Sequence, residues 1–236
     1  MRLVGSIALG AAAALAVPAA AAPAHRAPAR HAPVARDWSR TVVATPEGGF
    51  RMGNPAARVK LVEYGSLTCP HCRHFAQTGV QPLVQRYVRT GKLSYEFRNY
   101  ILNGIDAAAS LIARCSGARF FDTIEAFYAT QPQWIAKVTG LTAAQKAELQ
   151  AAPEAQRLVR IGSLSGLVPM AARFGVAPQR AAQCLASKPG LDRLGAMEAA
   201  ANALGVSGTP TFFINGRITD AGEWEQLEPL IKAAGG

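Results

Sequence analysis

The chain has 236 residues, 50% of them hydrophobic and 17% charged, with 25 Lys+Arg against 15 Asp+Glu and four cysteines. It is too apolar for a disordered polypeptide and long enough for one domain of ordinary size or one with a large insertion. The net charge of +10 invites a nucleic-acid reading, yet Arg2, Arg26, Arg30, Arg36 and Arg40, offset by Asp37, place +4 of it in the first forty residues and leave +6 beyond. No basic stripe interleaved with aromatics and no Gly-rich phosphate loop accompanies that charge, so nucleic acid is not the expected partner.

Met1-Arg2 precedes an apolar run, LVGSIALGAAAALAVP, and small residues follow it. This is the layout of a secretory signal peptide over residues 1–24, with cleavage expected after Ala21 or Ala24. The alternative is a retained anchor, which the alanine content and Pro18 disfavour. Without a twin-arginine pair, export of an unfolded chain is expected. Residues 25–44 read as a flexible basic tail rich in Ala, Pro and Arg, in which His25 and His31 have no ligand spacing. Removing residues 1–24 takes away only Arg2 among the charges, so the mature chain stays basic. In an exported protein four cysteines most simply mean two disulfides, whereas in the cytosol they would favour metal or catalytic thiols.

RVKLVEYG, residues 58–65, predicts a strand covered on both faces, with Val59, Leu61, Val62 and Tyr64 apolar. Glu63 interrupts that run, and a carboxylate there is costly unless paired or used. The strand leads through Ser66-Leu67-Thr68 into Cys69-Pro70-His71-Cys72 and an amphipathic helix that ends at Gly91 and is bent midway by Pro82. Pro70 suits the first helical turn, which puts Cys69 at a helix N-terminus. There the unpaired N–H groups and the helix dipole favour a thiolate, and a protonated His71 would add to this. Cys69 is then the attacking sulfur and Cys72 the resolving one. The competing reading is zinc held by Cys69, Cys72 and His71 or His74, but no second ligand pair at close spacing exists and His74 reads as a helix-surface residue.

From residue 103 to 188 the pattern is helical, in DAAASLIARCSG, RFFDTIEAFYAT, LTAAQKAELQ, PEAQRLVRI, SGLVPMAARFG and APQRAAQCLASK. Cys115 and Cys184 fall in this stretch. They are either a disulfide or two buried free thiols, since no spacing rule forces the pair. The helix LDRLGAMEAAANALG, 191–205, returns to the core, TPTFFIN is a short strand, Asn215-Gly216 a hairpin turn and RIT a returning strand. Asp220 with Glu223 reads as a capping box opening the last helix.

VKLVEYGSLTCPHCRHF, GVSGTPTFFINGR and the helical stretch between them resemble the thioredoxin superfamily, and within it the DsbA-like bacterial thiol:disulfide oxidoreductases. The resemblance implies an α/β thioredoxin fold over 45–102 and 189–236 with a large helical insertion at 103–188. It implies catalytic cysteines at Cys69 and Cys72, tuned by Pro70, His71 and Glu63, and a cis-proline loop at Thr209-Pro210 that binds extended substrate beside the dithiol. Cys115 and Cys184 correspond to a second disulfide that some members carry. No cofactor and no metal are expected.

The activity so implied is that of a monomeric periplasmic oxidase donating its disulfide to exported proteins, reoxidised by a membrane partner linked to quinone. Thr209 departs from the valine of the best-known oxidase and looks like the residue of the isomerases, which keeps isomerase or reductase open. Isomerases, however, resemble this chain only after a separate dimerisation domain, for which residues 25–44 are too few. A non-redox binding protein is the reading from another class.

Overall fold

Residues 36–236 are described by a computed structural model. The expected leader and the first part of the basic tail lie outside the described residues. The tail, expected to run to residue 44, ends earlier in the structure. Trp38–Arg40 form a 3-10 turn capped by Asp37, and β1 (Val42–Ala44) is the first strand of the sheet. Short polar and proline-rich flanks hid this strand, which forms by pairing with β2 (Phe50–Gly53).

The remaining strands are β3 (Val59–Gly65), β4 (Leu93–Asn99), β5 (Thr211–Ile214) and β6 (Arg217–Ile218), and the order across the sheet is β1-β2-β4-β3-β5-β6. β3 and β4 are parallel, and the other neighbours are antiparallel. The expected central strand is therefore β3, flanked on both sides. Its Val59 and Leu61 join Tyr95, Phe97 and Phe212 in the main core, while Tyr64 and Phe213 occupy a smaller core on the other face. Sequence reading left β4 unassigned, although Leu93, Tyr95 and Phe97 alternate with Ser94, Glu96 and Arg98 as a strand requires.

After β3 comes α1 (Pro70–Thr78), then α2 (Val80–Leu83) and a π turn at Val84–Val88. Pro82 has no N–H for the carbonyl of Thr78 and its ring crowds that oxygen, so α1 stops at Thr78 and the bend falls at Gly79. A Cβ at Gly79 would lie 2.5 Å from the Phe75 ring, so only glycine fits at this break.

The helical stretch resolves into α3 (Gly104–Cys115), α4 (Phe120–Ala129), α5 (Gln131–Thr139), α6 (Ala143–Ala151), α7 (Glu154–Ser165), α8 (Leu167–Ala172) and α9 (Pro178–Leu185). Of these, α5 is the one without an expected counterpart. Cys115 at the end of α3 and Cys184 on α9 form a disulfide with Cα atoms 6.4 Å apart, which sets aside the two free thiols. α10 (Lys188–Ala203) contributes Ala201 to the smaller core.

The hairpin after β5 turns through Asn215 (φ 50°) and Gly216 (φ 80°), the positive pair that an Asn-Gly turn supplies. α11 (Trp224–Ala233) opens later than the expected capping box. Its N-cap is Glu223, whose side chain makes no cap bond, and Gln226 accepts the Gly222 N–H at 2.8 Å instead. Asp220 stays outside the helix because Glu223, extended at φ −137° and ψ 163°, precedes Trp224, and Gly222 before it is costly in a helical conformation. No helix among the described residues is long and apolar enough to cross a membrane.

Candidate active site: a dithiol at a helix N-terminus

Cys69 is the N-cap of α1 and Pro70 its first helical residue, as the sequence pattern requires. Cys72, one turn into the helix, is fully buried, while His71 and Pro70 are exposed beside the dithiol. Cys69 is held far below an ordinary thiol, at about 5. The hydrogen bond from the Cys72 thiol is the largest influence and burial opposes it. The Thr209 side chain and the backbone N–H groups of Cys72 and His71 add to the lowering. His71 thus acts here through its backbone N–H. Burial, the bond to Cys69 and the charge of Glu63 push Cys72 well above the ordinary range. The two sulfurs are therefore split into one anionic and one protonated partner, as attacking and resolving thiols need.

Across from them, the Thr209-Pro210 peptide bond is cis and opens β5. As a thiol, Cys69 donates to the Thr209 carbonyl at 3.2 Å. Thr209 Oγ1 is buried and lacks a hydrogen-bond partner among the described residues. A Cys69 thiolate supplies the missing acceptor, so this hydroxyl favours the charged form. All four residues expected around the substrate sulfur, Cys69, Cys72, Thr209 and Pro210, are brought together. Cys115 and Cys184 belong to the insertion and are already bonded to each other.

Glu63 lies on β3, 1% exposed, and accepts a short hydrogen bond from the Tyr95 hydroxyl of β4. Burial raises its carboxyl to about 8, the Tyr95 bond opposes this and the negative charge of Cys69 reinforces it. A cavity of about 810 Å³, walled by Ala76 and Val80 on one side and Phe121 and Ile124 on the other, reaches Glu63 and Tyr95. Among the described residues no three or more His, Cys, Asp or Glu side chains gather as a metal site, and His74 is exposed on α1.

Tyr95 and three residues of the insertion, Asp106, Tyr128 and Gln131, were not legible as site residues. Asp106 carried one local signal, its place three residues after the helix-capping Asn103. Together with Ser66, these insertion residues hold the loop that presents Cys69.

Known proteins bear out the family. A thioredoxin family profile matches residues 45–233. A Rickettsia felis protein named as a protein-disulfide oxidoreductase is 32% identical over 168 residues, 70% of this chain and 52% of that protein. A Rickettsia prowazekii protein with the same kind of name is 30% identical over 78% of this chain and 60% of its own length. The chain thus spans about half to three-fifths of these relatives. Among solved structures, a protein-disulfide isomerase from Novosphingobium aromaticivorans shares 34% identity with a TM-score of 0.73, covering 79% of this chain and 97% of that one. Wolbachia pipientis alpha-DsbA1, at 24% identity and a TM-score of 0.58 over 81% and 92% of the two chains, shows the same fold. With its dithiol at the head of α1, its cis-proline loop opposite and its helical insertion between β4 and α10, the chain belongs to the thioredoxin family and has the DsbA-like form of that fold.

Proposed function

We propose that the protein is a thiol:disulfide oxidoreductase working outside the cytosol, as an oxidase that donates the Cys69–Cys72 disulfide to exported proteins. The observation that carries this reading is the depressed Cys69 thiol, at about 5, beside a buried and protonated Cys72. A thiolate so stabilised favours the reduced pair, and the disulfide accordingly hands its oxidation on.

A substrate thiolate attacks Cys69 Sγ and forms a mixed disulfide while the Cys69–Cys72 bond breaks. Cys72 leaves as a thiolate and takes a proton, for which Glu63 is the neighbouring donor. A second substrate thiolate then attacks the substrate's own sulfur and releases Cys69 as a thiolate, so two electrons pass from the substrate to the dithiol. The Thr209 backbone pairs with the extended substrate segment, and the cis Pro210 keeps that face open. A membrane partner returning the electrons to quinone closes the cycle.

Isomerase is the second reading, favoured by Thr209 and by the similar Novosphingobium protein being named a protein-disulfide isomerase. Equilibrium titration of the dithiol against glutathione, with the pH dependence of Cys69 alkylation, separates the two. An oxidising pair, with an alkylation rate that stays level down to about pH 5, supports the oxidase. A reducing pair with a near-neutral thiol refutes it.

A further inference from the structure

Three helices of the insertion converge on the four residues that deliver Cys69 to α1. From the third residue of α3, Asp106 accepts hydrogen bonds from Ser66 Oγ at 2.6 Å, Leu67 N at 2.9 Å and Leu102 N at 3.0 Å. From α4, the Tyr128 hydroxyl donates to the Ser66 carbonyl at 3.0 Å. From the first residue of α5, Gln131 Nε2 donates to the carbonyls of Leu67 and Cys69, each at 2.9 Å. Both Gln131 partners are carbonyl oxygens, so the amide has only one orientation that satisfies them. Asp106, Tyr128 and Gln131 are all buried.

A buried amide and a buried carboxylate stabilise less than apolar residues of the same shape unless every bond they make is needed. Here both Gln131 donor bonds end on the 66–69 loop, and Asp106 accepts from Ser66 and Leu67 of that loop, with Leu102 and, at 3.4 Å, Ser110 of α3 as its other donors. The loop reaches both sulfurs: Cys69 is its last residue, and the Ser66 backbone N–H is directed at Cys72. The N–H groups of His71 and Cys72 lower Cys69 only while its Sγ stays in line with them, because such bonds weaken steeply with angle.

We propose that Gln131 and Asp106, with Tyr128, are positioning residues through which the helical insertion sets the acidity of Cys69. The insertion is in this view part of the redox site as well as a cover for it. The inference rests on the oxidase reading, since it concerns how that dithiol is made acidic. Asp106, which burial pushes up to about 6, is ionised at neutral pH and so offers acceptors only, matching a set of partners that are all donors.

Gln131→Met keeps the length of the side chain and removes both donors, and Tyr128→Phe removes one with little change in volume. The Cys69 alkylation profile and the glutathione equilibrium are measured for each, beside Leu158→Ala, a core truncation in α7. Gln131→Met is expected to raise the Cys69 pKa by about one unit and to make the pair about tenfold less oxidising at pH 7. Tyr128→Phe is expected to shift both in the same direction by less, and it carries the test should Gln131→Met not fold. Leu158→Ala is expected to lower Tm and leave the Cys69 profile in place. Unchanged acidity and equilibrium in both loop variants, or an equal shift in Leu158→Ala, overturns the proposal. A wild-type chain without an acidic Cys69 overturns the oxidase reading instead.

Discussion

Glu63→Gln should stabilise the protein, by an amount that grows with pH. Folded, the Glu63 carboxyl is raised from 4.5 to about 8, mainly by burial. Between those values the folded chain keeps a proton that the unfolded chain has lost, so the contribution of Glu63 to stability falls as pH rises, by about 1.4 kcal/mol per unit. It is fully present below about 4.5 and gone above about 8. Gln keeps the size of the side chain and an acceptor for the Tyr95 hydroxyl but does not titrate. The stability gap between variant and wild type should therefore be near zero around pH 4.5 and reach about 3 kcal/mol in favour of Gln by pH 7. Cys69 works with the opposite sign: its folded pKa is depressed, so its contribution is present above the ordinary thiol range and lost as pH falls through about 5. In the reduced wild-type chain these two trends oppose each other between about pH 5 and 8, while Asp106, raised to about 6, adds a further loss up to that pH in both chains. Above about pH 6, past the Asp106 titration, the variant exposes the rising thiolate trend. Urea unfolding of both reduced chains at pH 5, 6, 7 and 8 measures the gap. A gap that stays constant or shrinks over that range refutes a buried, proton-holding Glu63.

Thr209→Val removes the hydroxyl that completes the Cys69 thiolate. The alkylation midpoint of Cys69 should rise by up to about one unit, while the fold gains stability below pH 5, where that hydroxyl has no partner. Replacing Cys115 and Cys184 together by Ala opens a loop closed across 69 residues and should cost about 4 kcal/mol in chemical denaturation. The Cys69 profile should not move in that variant, which separates the structural pair from the reactive one.

What was legible in the sequence came from short-range chemistry. The four residues Cys69 to Cys72 carry both sulfurs and the proline that opens α1, so the head of the helix and the attacking cysteine follow from one another. Asn215-Gly216 fixed a hairpin because both residues tolerate positive φ. The rest depended on partners far away in the chain. β1 has only three residues and exists because β2 pairs with it. Glu63 stood out as a buried charge, but the hydroxyl that serves it, Tyr95, sits on the neighbouring strand. Gln131 looks like any polar residue at the start of a helix. Its role appears only when the fold sets it against carbonyls 62 and 64 positions earlier.

These distant partners also explain how one dithiol holds two different protonation states. Cys69 caps α1 and Cys72 lies one turn in, so local sequence tells which sulfur attacks but not how far the two thiols are driven apart. The difference comes from depth and from the opposite wall of the site. Thr209 and the N–H groups of α1 meet Cys69, which is 5% exposed, whereas the fully buried Cys72 feels the Glu63 charge. In the proposed cycle at neutral pH, the disulfide opens to a Cys69 thiolate and a Cys72 thiol. A substrate dithiol gives up two protons as it is oxidised, and the enzyme keeps only one of them. Glu63, protonated below about pH 8, acts on the sulfur that needs the proton, and it also lines a cavity whose walls include neither Cys69 nor Thr209. The arrangement requires Glu63 to be buried enough to keep its proton and wet enough to exchange it. Its position, 1% exposed, meets the first condition, and its place in the wall of that cavity is what the second requires.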